Sequence, residues 1–207
     1  MADGWMCGGM RTDDRTLAGF LFFLGSLQFV LAMLIAEGMR PNYSISTNAI
    51  SDLGVDSTAL LFNVSVALLG ILTLAAAYFY HRTHKKLWIT LPFALAGIGP
   101  IGVGIFPETT GAPHAVFAFV SFFFGGLVAI LISLRTPPPI RYISAVLGLV
   151  GLVALVLFVA GQYAGIGFGG MERMIAYPVL LWEIAFGGFL MSRTEPQAPA
   201  AVPDPPA

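Results

Sequence analysis

Several acidic, amide and hydroxyl side chains gather where long apolar stretches of the sequence end, and these residues are the best candidates for chemistry. The polar run RPNYSISTNAISDLGVDST carries Asn48, Ser51 and Asp52, while Glu37 precedes it and Asn63 follows it. Polar side chains this close to apolar segments need partners in the protein or in a ligand. The group therefore predicts a binding site. Two structural alternatives stay open: Asn48 and Ser51 as loop-stabilising residues, and Asn63 as a bond between helices.

A carboxylate and an imidazole form the second group, because Glu108 and His114 are joined by a short turn through Gly111. Such a pair can act as a general acid and base or as two metal ligands. Together with Asp52 it predicts a catalytic group, and with Glu37 and Asp52 a set of four metal ligands. One histidine among carboxylates is a loose signal, since zinc usually takes two or three His or Cys ligands. The structural alternative is a histidine at a helix start that hydrogen-bonds Glu108.

Three charged residues of the last apolar segment form the third group. Arg173 is expected near the outer acids, where it either neutralises one of them or holds a phosphate. Glu172 and Glu183 lie on nearly the same helix face but ~16 Å apart, so we expect them to serve separate sites. Glu183 is deep in its apolar segment, where a carboxyl group is a candidate for proton or ion coupling. An interhelical hydrogen bond is its structural alternative.

Composition indicates which solvent surrounds these residues. Of the 207 residues, 57% are hydrophobic and 10% are charged, and the mean hydropathy is +0.84, so a soluble domain is excluded. With 10 Lys and Arg against 11 Asp and Glu, a nucleic-acid binder is also excluded. Six apolar runs reach the ~20 residues that a membrane-spanning helix needs. They cover residues 17–38, 60–80, 87–106, 114–134, 142–163 and 171–191.

The predicted fold is all-α, a bundle of six transmembrane helices within residues 17–193. A cytoplasmic stub (1–16) precedes it, a disordered Pro- and Ala-rich tail (194–207) follows it, and an outer loop covers residues 39–58. Eight of the ten Lys and Arg residues flank one side of the spans. This asymmetry predicts that both termini are cytoplasmic and that the protein is integral to the cell membrane. The opposite, outer side is acidic.

Prolines and polar residues predict local features of these elements. Pro92 and Pro100 predict a broken third helix. In the outer loop, Gly54 is expected to adopt a left-handed conformation. Asp56 or Ser57 is expected to cap the second helix.

Nucleotide and heme sites are disfavoured. Gly165, Gly167 and Gly170 match the G-x-G-x-x-G pattern, but no strand precedes them, so the run predicts a flexible turn between two membrane helices. His81 and His84 lie in a basic cytoplasmic connection whose composition is explained by topology. Heme ligation by two histidines also fails, because no imidazole is placed opposite these residues or His114.

Several of these residues also carry a resemblance to a known family. The chain resembles the domain-of-unknown-function 998 family of prokaryotic multi-pass membrane proteins. The resemblance rests on the NAISDLG stretch, and further on Ala36, Glu37, Pro41, Tyr43, Ser44, Phe106, Pro107, Glu108 and His114, with a looser match at Glu172, Arg173, Trp182 and Glu183. It implies a six-helix body without an assigned reaction.

The first functional hypothesis is an acidic and histidine-containing pocket at the outer interface that binds a cation or the head group of a lipid or other amphiphile. A second is a membrane-embedded hydrolase in which a divalent metal activates water. A third is a proton- or ion-coupled transporter that uses Glu183 and a gate in the third helix. A fourth is a noncatalytic subunit of a membrane complex. Membrane lipid is the expected partner.

Overall fold

The computed structural model describes residues 13–192. Six helices make up most of this part of the chain: α1 (Asp14–Met39), α2 (Ala59–His84), α3 (Leu87–Ile105), α4 (Ala112–Ser133), α5 (Ile140–Val159) and α6 (Gly167–Ser192). All six are long and apolar enough to cross a membrane, and the described residues contain no strand. The predicted all-α bundle of six transmembrane helices is confirmed. The predicted N-terminal stub up to residue 12, Arg193 and the predicted disordered tail lie outside the described residues.

The six helices form a closed ring. Each helix packs against its neighbours in sequence, and α1 packs against α6 to complete the circle. Because the chain crosses the bundle six times, the first and the last described residues lie at one end, which we call the terminal end. The opposite end carries the connection 40–58 and the turns at 106–111 and 160–166, and we call it the loop end. A helix satisfies its own backbone groups, so the outside of the ring can be entirely apolar.

The 40–58 connection is held by residues other than those predicted. Asn42 and Asp56 adopt the left-handed conformation, at φ 59° each, whereas Gly54 does not. Neither Asp56 nor Ser57 caps α2, because Asp56 is committed to a 3₁₀ turn over Asp56–Thr58 and no side chain bonds the first turn of α2. Instead, the Thr58 hydroxyl donates to the carbonyl of Leu53 at 2.8 Å. Gly54 is required for a different reason: a Cβ there would lie 2.7 Å from Oδ1 of Asn63.

Two predicted helix features are wrong. The third helix is continuous from Leu87 to Ile105, with Pro92 and Pro100 inside it. In the membrane interior no water is present to hydrogen-bond an unwound backbone, so the helix persists in spite of the prolines. The fifth helix ends at Val159 and the sixth begins at Gly167, whereas the apolar runs extend to Tyr163 and start again at Met171. The turn between them contains left-handed residues, among them Ala164 and Gly165, that hydropathy does not register.

Aromatic side chains fill the terminal half of the ring. Phe93 contacts Phe22 with ring centroids 4.8 Å apart, and Trp182 stacks on Phe186 at 5.3 Å. Phe93 also stacks on both Trp182 and Phe186. The indole of Trp182 donates to the hydroxyl of Ser144 at 2.8 Å, which satisfies its polar atom. These four rings, which we call the aromatic plug, close the interior toward the terminal end.

Closure of the ring between α1 and α6 depends on a pair of glycines. A Cβ added to Gly187 would lie 2.5 Å from the carbonyl oxygen of Gly19, and one added to Gly19 would lie 2.6 Å from the carbonyl oxygen of Gly187. Both obstructing atoms belong to the backbone, so they cannot move aside as a flexible side chain would. Gly188, the next residue, has open space around its Cβ position. Gly187 therefore permits the close approach of α1 and α6, whereas Gly188 takes no part in it.

Replacing Gly187 by alanine should destabilise the bundle by about 1–3 kcal/mol, because the added methyl group forces α1 and α6 apart. The neighbouring Gly188→Ala variant is a matched control and should unfold at or slightly above the wild-type temperature, since alanine favours the helix. Thermal unfolding of both variants in the same detergent tests this. Equal transitions would contradict the proposed role of the glycine pair.

Candidate functional site

The guanidinium of Arg173 attaches the 40–58 connection to α6. Its Nη2 donates to Oε1 of Glu37 at 2.5 Å and to the hydroxyl of Tyr43 at 2.6 Å. Its Nη1 donates to three backbone carbonyls, those of Ile45, Asn48 and Gly169, at 2.9–3.1 Å. Arg173 is 4% exposed. Its terminal nitrogens are therefore committed to the protein, and of the two predicted roles the structure supports neutralisation of an acid and not a phosphate site.

Tyr43 extends this attachment into the connection itself. Its hydroxyl accepts from Arg173 and donates to the carbonyl of Ala49 at 2.6 Å. Burial raises the pKa of Tyr43 to about 12, so the phenol stays protonated and keeps both bonds at any physiological pH. The sequence hypothesis did not include Tyr43 as a site residue. Its position in the polar run was visible, but its partner lies 130 residues away.

Glycines at the start of α6 let the connection approach the helix backbone. The amide of Gly169 donates to the carbonyl of Ser46 at 3.0 Å. A Cβ on Gly167 would overlap that carbonyl oxygen, and a Cβ on Gly169 would overlap the carbonyl oxygen of Asn48. The glycine-rich run predicted as a flexible turn is one only at Gly165, because Gly167 and Gly170 belong to α6, where the glycines form a packing surface for the connection.

Asp52 is oriented from within the connection. Its Oδ2 accepts from Nδ2 of Asn48 at 2.9 Å and from the backbone amide of Ala49 at 3.1 Å. Asn48 in turn accepts from the amide of Ser44 at 3.0 Å through Oδ1. Asn48 therefore positions the carboxylate of Asp52, which matches its loop-stabilising alternative.

Glu108 stands next to Asp52 at the loop end. Burial, together with the hydrogen bond and negative charge of Asp52, raises the pKa of Glu108 above its ordinary value of 4.5. The Ser51 hydroxyl and His114 act in the opposite direction and favour the charged form. The structure thus brings together Asp52, Glu108, Ser51 and His114, which we call the acidic mouth. Its two carboxyl groups, those of Asp52 and Glu108, are within hydrogen-bonding distance of each other.

His114 is positioned by the backbone and not by Glu108. Its Nδ1 pairs with the carbonyl of Phe106 at 2.9 Å, and because a carbonyl only accepts, Nδ1 carries the proton. In its neutral form the ring then presents an unprotonated Nε2. The predicted structural alternative, a hydrogen bond to Glu108, is replaced by this bond to Phe106.

The four predicted metal ligands do not assemble. Glu37 is bonded to Arg173, which withdraws it from Asp52, Glu108 and His114. Between residues 13 and 192, no three His, Cys, Asp or Glu side chains are grouped so that they could hold a metal ion. The residues therefore do not fit the four-ligand site, and the metal-dependent hydrolase loses the ligands on which it rested.

Asn63 does not reach the acidic mouth through its amide nitrogen. Nδ2 donates to the carbonyl of Gly54 at 2.9 Å, which ties the start of α2 to the connection. Its Oδ1 is buried and has no hydrogen-bond partner within the described part of the chain. Asn63 therefore bonds the connection, and not another helix as its structural alternative supposed.

A cavity of about 80 Å³ lies inside the ring, between the acidic mouth and the aromatic plug. Its polar lining residues are Ser51, Thr73, His114, Ser121, Glu172 and Glu183, and the remainder of its wall is largely apolar. Glu172 lies near the loop end, where its Oε2 accepts from the amide of Ile50 at 2.5 Å. Glu172 and Glu183 line the same cavity, although they stand ~16 Å apart along α6, as expected from their spacing.

Glu183 lines the inner part of this cavity. Its Oε2 accepts from the hydroxyl of Ser26 on α1 at 2.5 Å, and the residue is 5% exposed. Thr73 of α2 also lines the cavity, with its buried hydroxyl lacking a hydrogen-bond partner in the described residues. Neither Ser26 nor Thr73 was a candidate from the sequence, because one hydroxyl in an apolar helix is ordinary.

The sequence profile of the family described as "Protein of unknown function (DUF998)" matches residues 23–188. The chain belongs to the DUF998 family. The DUF998 match includes every residue of the acidic mouth and of the cavity, together with Glu37, Tyr43 and Arg173. No match was found among curated proteins or among solved structures.

The two ion pairs at the loop end of this DUF998 protein should differ in strength. The Glu37 side chain is 9% exposed in its pair with Arg173, whereas the Asp56 side chain is 81% exposed in its 3.4 Å pair with Arg40. Glu37→Gln should therefore destabilise the protein by about 3–5 kcal/mol, because it leaves a buried guanidinium unneutralised. Asp56→Asn removes the same charge from a solvated pair and should cost at most about 1 kcal/mol.

Thermal unfolding and protease sensitivity of the 40–58 connection provide the measurement for both variants. Early cleavage of the connection is expected in Glu37→Gln. If both variants melted and were cleaved like the wild type, Arg173 would not be the attachment point.

Proposed function

We propose that this membrane protein binds a cationic group at its loop end, in the acidic mouth and the adjoining outer part of the cavity. The observation that carries the proposal is a local excess of negative charge. Arg173 is bonded to Glu37 and Arg40 to Asp56. Asp52, Glu108 and Glu172 form no ion pair with a Lys or Arg in the described residues, so a bound cation would supply the missing positive charge.

The chemistry of the mouth favours a cation over an anion. Its carboxylates, the Ser51 hydroxyl and Nε2 of His114 are acceptors that suit the N–H groups of an ammonium. The one nearby guanidinium has both terminal nitrogens committed. This narrows the predicted head group from any amphiphile to one with a positive charge.

The apolar wall of the cavity suits a ligand that carries carbon as well as charge. Phe62, Val103 and Phe122 line it beside Glu172 and His114. Apolar contacts of this kind bind the alkyl part of an amine, whereas an inorganic ion gains nothing from them. The small cavity volume limits the buried part to a head group, while a longer chain would remain among lipids.

Cationic ligands should raise the unfolding temperature of the detergent-purified protein. The probes are calcium chloride, ethanolamine hydrochloride and the amphiphile dodecylamine, which separate an inorganic cation, a soluble ammonium and a membrane-borne ammonium. A ligand at 100 times its Kd stabilises by about 2.7 kcal/mol. Asp52→Asn and Glu108→Gln should remove most of that stabilisation.

Asp56→Asn is the matched control, because it removes a carboxylate from the same end of the bundle but outside the mouth. It should keep the full ligand effect. Stabilisation by none of the three probes would contradict cation binding and would favour the structural-subunit hypothesis. Equal loss in all three variants would indicate a nonspecific effect of surface charge.

Cation affinity should increase with pH. Because burial and Asp52 raise the pKa of Glu108 above its ordinary value, Glu108 becomes charged only as the pH rises through that raised pKa. Each proton released on binding changes the affinity by up to about tenfold per pH unit below that pKa. Glu108→Gln should flatten the profile, as measured by thermal shift between pH 5 and 8. An unchanged profile in that variant would exclude Glu108 as the titrating group.

We also propose that the loop end faces the outside of the cell membrane and that both termini are cytoplasmic. Among the described Lys and Arg residues, only Arg40 and Arg173 lie at the loop end, and the other six are at the terminal end. Retention of Lys and Arg on the cytoplasmic side supports this orientation. The acidic mouth would then draw its cation from the exterior.

A further inference from the structure

We infer that Glu183, Ser26 and Thr73 form a proton-binding site inside the membrane that exchanges with the loop end and not with the terminal end. This inference shares the cavity of the proposed function and extends it, because a cation in the mouth and a proton on Glu183 would occupy one connected space. The site itself does not require that the cation binds.

The geometry assigns a role to each of the three residues. Glu183 accepts from Ser26 through one carboxylate oxygen at 2.5 Å. Thr73 of α2 is 1% exposed, and its hydroxyl lies beside the Glu183 carboxyl group without a hydrogen bond of normal geometry in the described region. A buried hydroxyl left without a partner costs free energy, so its retention beside a carboxyl group on the cavity wall points to a partner that arrives. A protonated carboxyl or a water bound to it provides that partner.

The path to this site is open in one direction only. Toward the loop end, the cavity continues past Ser121 and Glu172 to Ser51 and His114. Toward the terminal end, the aromatic plug fills the interior, and its members Trp182 and Phe186 are 0% and 1% exposed. The one polar atom of these four rings, Nε1 of Trp182, is bonded to Ser144, so the plug offers no group that could relay a proton, and exchange with the terminal side requires the plug to move.

The titratable neighbours of Glu183 are few. Ser26 on α1 and Thr73 on α2 face it with uncharged hydroxyls, and Ser144 on α5 is taken by Trp182. From α4, His114 and Ser121 line the same cavity, and α3 contributes Ala96, Pro100 and Val103. On α6 itself, Glu172 lies ~16 Å away along the helix. Of these, His114 and Glu172 are the groups that could pass a proton between the mouth and Glu183.

This arrangement suits exchange of one positive charge for another. A carboxyl group that is ionised and buried in the membrane is costly, so Glu183 favours either a proton or a nearby cation. A cation that enters the cavity would favour the ionised form of Glu183 and release its proton. Loss of the cation would favour protonation of Glu183 again. The class of process implied is coupled movement of a proton and a cationic solute on the loop side.

The experiment uses dicyclohexylcarbodiimide, which adds to protonated carboxyl groups in apolar surroundings and leaves a stable N-acylurea that peptide mass spectrometry locates. The full chain is reconstituted into vesicles of one orientation, as verified by protease access to the termini, and the pH is set separately on the two sides. Glu183 should be labelled at low pH, and labelling should follow the pH on the loop side. Changing the pH on the terminal side should have no effect.

The Ser26→Ala and Thr73→Val variants test whether these two hydroxyls take part in proton binding by Glu183, beyond the labelling of Glu183 itself. Each removes a hydroxyl that stabilises the ionised carboxylate, so the pH midpoint of labelling should move upward, by about one pH unit for a bond to a charged group. A structural role alone would change the amount of label without moving the midpoint. Ser133→Ala, which removes a hydroxyl bonded only within its own helix, is the control and should leave the midpoint unchanged.

Three results would overturn the inference: no adduct on Glu183 at any pH, labelling that follows the terminal-side pH, or protection by sodium chloride relative to choline chloride at constant pH. The last would identify a sodium site in place of a proton site. Failure here is separable from failure of cation binding, because the thermal shifts in Asp52→Asn and Glu108→Gln do not involve the labelling of Glu183.

Discussion

The buried guanidinium of Arg173 determines where the polar residues of the loop end stand. A positive charge inside an apolar bundle needs a counter-ion and hydrogen-bond acceptors, and the two terminal nitrogens of Arg173 find them in Glu37, Tyr43 and three backbone carbonyls. The same bonds draw the 40–58 connection onto α6. That placement carries Asp52 toward Glu108 and Ile50 toward Glu172. The acidity of the mouth is therefore a consequence of Arg173 being occupied elsewhere.

The membrane imposes the second constraint, because it offers no water to polar groups, and a ring of helices meets that constraint by enclosing them. Side chains on the outside face lipid, so polar groups within the spans can only point inward. The interior then divides by depth: aromatic rings fill the terminal half, and a cavity with carboxyl groups remains toward the loop end. Glu183, Ser26 and Thr73 lie at the boundary between these layers. Two otherwise separate regions of the molecule meet there.

Much of the fold was predictable from the sequence, because membrane spans are long and their apolar runs are unmistakable. Proximity of Asp52, Glu108 and His114 followed from placing their segments at one end of the bundle. What hydropathy could not provide is the direction in which each side chain points. Glu37 looked like a metal ligand until its partner Arg173 was located, and Thr73 became informative only once its hydroxyl was seen without a bond. The prediction of a break at Pro92 and Pro100 was wrong for a related reason. The free energy that a proline costs a helix depends on the surroundings of the helix and not on the proline alone.

The contacts between α1 and α6 have a consequence for how the protein is made. Glu37 meets Arg173, Ser26 meets Glu183 and Gly19 meets Gly187, so at three depths the first helix is matched to the last. A ribosome delivers α1 well before α6, and in that interval the polar groups of α1 sit in the bilayer without these partners. A chain that stops before α6 leaves Glu37 and Ser26 in that state. The polar groups of α1 thus gain their partners only when synthesis of α6 is complete. Unpaired polar groups in the bilayer would then distinguish a truncated molecule from a finished one.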